Sequence, residues 1–150
     1  FDSRDSGYDY GFIIYLYDGG EVGAGKSLLA GWADRDKSES VSAGVTWKRG
    51  EWHHVAFAWK RTGEGKGSMR LYLDGKLAGT KEDAPWFPAK LSPALRLGTN
   101  PTDSPNTHAN GVMDLLRISR VMRAPDPAAP VTRDGDTLLF RDFDTPEELR

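Results

Sequence analysis

Residues 52–60 read WHHVAFAWK, and this stretch decides the fold. In an extended chain, alternate side chains point to opposite faces. Trp52, His54, Ala56 and Ala58 then share one face, and His53, Val55, Phe57 and Trp59 share the other. Both faces are largely apolar, which predicts a strand in the middle of a sheet rather than at its margin. Just downstream, Met69–Leu73 and Lys76–Lys81 flank Asp74 and Gly75. An Asp-Gly pair between alternating segments predicts a two-residue hairpin of type I′, because both central residues of that turn need positive φ.

The same rhythm continues outward in both directions. Tyr10–Tyr17, Ser27–Ala33, Ser40–Trp47, Leu95–Gly98, Val112–Ser119 and Thr137–Phe143 read as further strands. Between them lie segments rich in turn formers: Thr62–Gly67, the Pro-bearing stretch Glu82–Pro93, and Thr99–Gly111. Pro125, Pro127 and Pro130 make residues 124–130 irregular. Only Arg120–Arg123 and Pro146–Arg150 look able to form a helical turn. Short strands between regular turn signals predict an all-β fold, an antiparallel two-sheet β-sandwich.

Composition agrees. The chain has 150 residues, which fits one domain spanning 1–150, and its 17 Gly and 9 Pro suit many turns. A formal charge of −2 gives no basic face for nucleic acid. With no Cys there is neither a disulfide framework nor a thiol nucleophile. No apolar run approaches the ~18 residues of a membrane span.

Three stretches, taken in order, resemble one family. Gly50–Ala56 followed by Trp59 resembles the inner strand of laminin-G-like, concanavalin A-like jelly rolls. Leu71–Leu77 resembles the hairpin that follows it there. Leu95–Asn100 and Gly111–Asp114, running into Leu116–Ser119, resemble the closing strands. The resemblance implies a jelly roll that binds carbohydrate, often with calcium, or binds proteins at cell surfaces. It implies an extracellular or cell-surface location, as a module of a larger secreted or surface protein. The family has strands before the one at Tyr10, so this chain reads as an N-terminally truncated domain with an open sheet edge for another chain to cover. Where many members carry an acid after the position of Asp114, this chain has Leu115.

Candidate chemistry divides into readings to reject and readings to carry. Gly20–Ser27 fits the phosphate-loop pattern G-x-x-x-x-G-K-[ST]. That motif needs a helix behind it to aim backbone N–H groups at phosphate, and Gly31 and the polar run from Asp34 leave too little room for one. A glycosidase needs two facing acids, and no interior strand carries such a pair. Asp142 and Asp144 read as a solvated surface pair, and His53 and His54 as packing residues. No catalytic residues are assigned, and the chain is read as a non-enzyme.

Calcium takes six to eight oxygen ligands, often from loops. The candidate ligands are Asn100, Asp103, Asn110 and Asp114, with calcium as the cofactor expected if any is bound. For sugar, Trp86 and Phe87, between Pro85 and Pro88, either present an aromatic platform or cap one end of the core. Asn106 and His108 would supply polar contacts beside that platform. Trp32, Trp47, Trp52 and Trp59 read as packing residues. The function expected is a non-catalytic, lectin-like module for a glycan. The alternative is a structural or protein-interaction domain.

Overall fold

The computed structural model describes residues 11–17, 25–33, 37–88, 95–98 and 111–144. They form eight strands: β1 (Gly11–Tyr17), β2 (Ser27–Ala33), β3 (Ser38–Gly44), β4 (Val55–Gly63), β5 (Lys66–Leu73), β6 (Lys76–Ala84), β7 (Leu115–Ser119) and β8 (Thr137–Asp142). Every pairing is antiparallel. The sheets run β1-β2-β3, β4-β5-β6 and β7-β8.

The first two sheets face each other across one core. Phe12, Leu28, Ala30, Trp32 and Val41 come from one sheet, and Met69, Leu71 and Ala84 from the other. Trp32, Met69 and Leu71 are fully enclosed. Burying a large apolar side chain contributes roughly 1.5–3 kcal/mol, so this small set dominates the packing. The Trp32 indole N–H is not stranded, since it donates to the Trp86 carbonyl at 2.9 Å.

Glycines mark where packed neighbours leave no room for a side chain. A Cβ on Gly67 would lie 2.5 Å from Phe87 and 3.0 Å from Trp32. One on Gly79 of β6 would lie 2.5 Å from Val41 of β3, which fixes how near the sheets sit. Lys81 of β6 reaches Glu39 of β3 in an ion pair at the same seam.

Several expectations are met. The turn after Leu73 has Asp74 at φ 49° and Gly75 at φ 78°, with Leu73 opposite Lys76, as a type I′ hairpin requires. Ser27–Ala33 is a strand paired on both sides, so no helix follows the phosphate-loop pattern.

Others are corrected. Within the described sheet β5 is the central strand, and β4 pairs only with β5. Apolarity on both faces of β4 reflects cover on both sides: Ala58 and Tyr72, turned away from the main core, are also buried. The expected loop at Thr62–Gly67 is a tight hairpin instead, with Gly63 opposite Lys66 and Gly65 at φ 65° supplying the reversal. Arg120–Arg123 is bend and coil, not a helical turn. Its arginines are drawn into ion pairs, Arg123 with Asp134 at 2.8 Å and Arg120 with Asp136 at 3.8 Å. The strand expected from Val112 starts its ladder only at Leu115. Leu95–Gly98 contributes a single bridging residue, Arg96.

Close backbone approach gives a test. A Cβ on Gly31 would meet the Glu39 carbonyl oxygen at 2.1 Å, whereas one on Gly44 meets nothing within 4 Å. Gly31→Ala should lower stability by about 1–3 kcal/mol through overpacking. Gly44→Ala should leave it unchanged within about 0.5 kcal/mol. Urea unfolding midpoints of the two variants check this.

Candidate functional site

The connection into β4 is shaped by two local devices. Lys48 N–H donates to the Glu51 carboxylate at 2.8 Å, and Glu51 N–H donates back to the Lys48 carbonyl at 3.3 Å. Gly50, at φ 87°, permits that reversal. Asp74, on the β5–β6 turn, then takes the place of a strand partner. Its Oδ1 accepts the His54 N–H at 2.9 Å, and its own N–H donates to the His54 carbonyl at 2.8 Å. The regular ladder therefore begins only at Val55.

These devices throw neighbouring side chains in different directions. The His53 ring lies flat on Trp47, with centroids 4.4 Å apart and planes 10° from parallel. Its Nδ1 is 3.0 Å from Asp74 Oδ2, and its Nε2 is 3.4 Å from Glu51 Oε2. Trp52 points away and is 67% exposed. This corrects its assignment as a packing residue. The Asp74–Gly75 turn is braced from behind, since a Cβ on Gly75 would lie 2.4 Å from Pro127.

The electrostatics follow from the contacts. The hydrogen bond to Asp74 raises the His53 pKa, partly opposed by burial and helped by the charges of Asp74 and Glu51. The hydrogen bond from His53 lowers the Asp74 pKa, against burial and with help from the His54 N–H. The His53 ring therefore lies between the two carboxylates, and their contacts favour its protonated form. A glycosidase acid must be held protonated by a raised pKa, with a sugar between the acids. Here the Asp74 pKa is lowered, and a ring fills the space between the carboxylates. The cluster is built to hold shape and present polar atoms.

The expected platform lies elsewhere. Trp86 is half-buried and packs against the core. Phe87 lies 4.9 Å from the Trp32 ring and 6.4 Å from Phe12, with the Arg61 guanidinium 5.1 Å from its centroid. Of the two alternatives read for this pair, Phe87 takes up the capping role. Asp114 is exposed, and its carbonyl accepts the Phe143 N–H at 3.1 Å. Asn100, Asp103, Asn106, His108 and Asn110 lie outside the described residues. Among the described residues, no group of three or more His, Asp or Glu side chains is placed to hold a metal. Asp142 Oδ1 accepts the Asp144 N–H at 3.0 Å, which makes that pair a local turn.

With this geometry in place, the chain can be set beside known proteins. A family model described as the concanavalin A-like lectin/glucanases superfamily, a laminin G form, matches residues 1–126. The chain belongs to that superfamily, which supports a lectin-like or protein-interaction domain. No curated protein and no solved structure gives a match.

The His53–Asp74 contact makes a pH prediction. A raised His53 pKa contributes stability that is complete below the ordinary histidine value and fades as pH rises through the raised one. A lowered Asp74 pKa contributes stability that is complete above the ordinary carboxylate value and fades as pH falls through the lowered one. Both are in force together between about pH 4 and 6.5. In an NMR titration, His53 should titrate above its ordinary value, and Asp74→Asn should bring it down.

Proposed function

We propose that this domain is a non-catalytic carbohydrate-binding module, acting outside the cell, whose described contact point is the rim around Trp52. The observation that carries the reading is the 67% exposure of that indole, on the residue between Glu51 and His53 in the chain. A large aromatic surface left in water favours a partner that covers it. Pyranose rings present apolar C–H faces to stack on an indole. Their hydroxyls donate to carboxylates, and Glu51 and Asp74 are each about half exposed, at 46% and 49%. Groups for stacking and for hydrogen bonding thus lie on neighbouring residues of the connection into β4. Calcium, where it takes part, would act through Asp114 and the residues 100–110 that precede it. No contact at the Trp52 rim needs it.

A specific observation favours the second reading, a protein-interaction domain. Among the described residues β1 pairs only with β2, and Leu16 on it is 50% exposed. A protein chain adding to that edge would cover it.

The experiment is binding to a polysaccharide panel, with and without EDTA. Trp52→Ala should weaken binding at least ten-fold, about 1.4 kcal/mol, and Trp86→Ala should weaken it less. Loss with EDTA would bring the 100–114 segment into the site. A folded protein that binds no glycan in the panel would leave the protein-interaction reading.

A further inference from the structure

The connection that carries Trp52 is pinned on both sides of that residue. Before it, Glu51 Oε2 accepts the Lys48 N–H at 2.8 Å. After it, Asp74 Oδ1 accepts the His54 N–H at 2.9 Å. The His53 ring joins the two pins. Its Nδ1 lies 3.0 Å from Asp74 Oδ2, and its Nε2 lies 3.4 Å from the same Glu51 Oε2 that holds the Lys48 N–H.

Proton number separates two states of this joint. An imidazolium carries an N–H on each nitrogen, so each carboxylate faces a donor. A neutral imidazole carries one N–H, and its other nitrogen presents a lone pair. Whichever tautomer forms, one carboxylate oxygen then faces a lone pair. Water gives little relief on the Glu51 side, because Nε2 is enclosed and has no hydrogen-bond partner. The stack on Trp47 limits reorientation of the ring. The Asp74 contact is the shorter, and Asp74 is held in addition by the His54 backbone, so the single proton stays on Nδ1. Loss of the other proton is felt at Glu51.

Nothing charged opposes the acids. Among the described residues, the charged groups that act on the ring are Asp74 from the β5–β6 turn and Glu51 from its own connection. Trp47, on its flat side, and Pro127, behind the turn, are uncharged. His54 is the other titratable group at this place, and its charge acts on Asp74.

We propose that protonation of His53 controls the presentation of Trp52. The protonated ring locks Glu51 and the Lys48 turn, and the neutral ring releases them, so ligand binding at this indole weakens as pH rises. For its ligand this rests on the carbohydrate reading of the rim, to which it adds a regulator. The effect runs through one oxygen. A lone pair on Nε2 repels Glu51 Oε2, and that oxygen takes the Lys48 contact with it as it moves. Trp52 loses the anchor before it and keeps the one after it. His53 is thus a positioning residue, acting through Glu51.

The test follows the Trp52 indole and His53 ring signals by NMR in the free protein from about pH 5.5 to 8.5, above the carboxylate range and below the lysine range. Compared are the parent, Glu51→Gln and His53→Phe, with far-UV circular dichroism to confirm folding. In the parent, the Trp52 signals should move along the His53 titration curve. In Glu51→Gln, His53 should still titrate but Trp52 should no longer follow it, because an amide can accept from Lys48 and donate to a neutral ring. His53→Phe keeps a ring on Trp47 and should leave Trp52 indifferent to pH. For a neutral polysaccharide that binds, parent affinity should fall about three-fold or more across this range, and reciprocity requires the bound ligand to strengthen proton binding at His53 by the same factor. A Trp52 signal that stays fixed while His53 titrates overturns the proposal. So does a Trp52 response that persists in both variants, or a parent affinity flat with pH. A free protein whose Trp52 follows His53 through Glu51, yet which binds no glycan, upholds the switch and removes the carbohydrate reading.

Discussion

The enclosure of Trp32 is the constraint on which the rest of the structure depends. This indole fills the space between the sheets at zero exposure, edge-on to Phe12 and tilted against Phe87. Gly67 has no side chain because the Trp32 and Phe87 rings occupy that volume. The one polar atom of the ring is satisfied by the Trp86 carbonyl, so the segment after β6 is tied to the core it covers. From that tie follows the fate of the Trp86–Phe87 pair, whose aromatic surface is spent largely on packing.

What packing leaves over defines the surface available for function. Trp47 and His53 stack and share the polar atoms of Asp74 and Glu51, which holds the chain entering β4 in a bent path. Trp52 is turned outward by that path. On the opposite sheet, strand pairing keeps Phe12 inside and Tyr15 and Tyr17 outside. The outward turn of Trp52 is a consequence of backbone geometry fixed elsewhere, so a ligand would meet it preformed, with little ordering to oppose binding.

Much of the fold was legible in the residues themselves. Alternation found β2 at its true ends, and Asp74-Gly75 announced its turn because few other pairs accept two positive φ values. Thr62–Gly67 misled because its composition suits a loop and a tight turn alike, and only the pairing of Gly63 with Lys66 distinguishes them. β4 misled for another reason: two apolar faces report burial from both sides and not strand order, and among the described residues β4 pairs only with β5. The site was less legible. Period-two alternation placed Trp52 on a strand face with Ala56, but a carboxylate twenty residues along from His54 replaces the ladder there. No local pattern records a long-range bond of that kind. The superfamily was visible through Gly50–Ala56, Leu71–Leu77 and the segments from Leu95, all within the matched residues 1–126.

The central claim is that the exposed Trp52 of a rigid sandwich contacts carbohydrate. The most direct measurement is the NMR response of the five tryptophan indole N–H signals as a soluble neutral polysaccharide is added, with Trp52 assigned through Trp52→Phe. The account predicts that the Trp52 signal shifts in a saturable way while that of enclosed Trp32 stays put. Saturable binding with the Trp52 signal unmoved, or a folded protein whose indole signals ignore every polysaccharide offered, would contradict it.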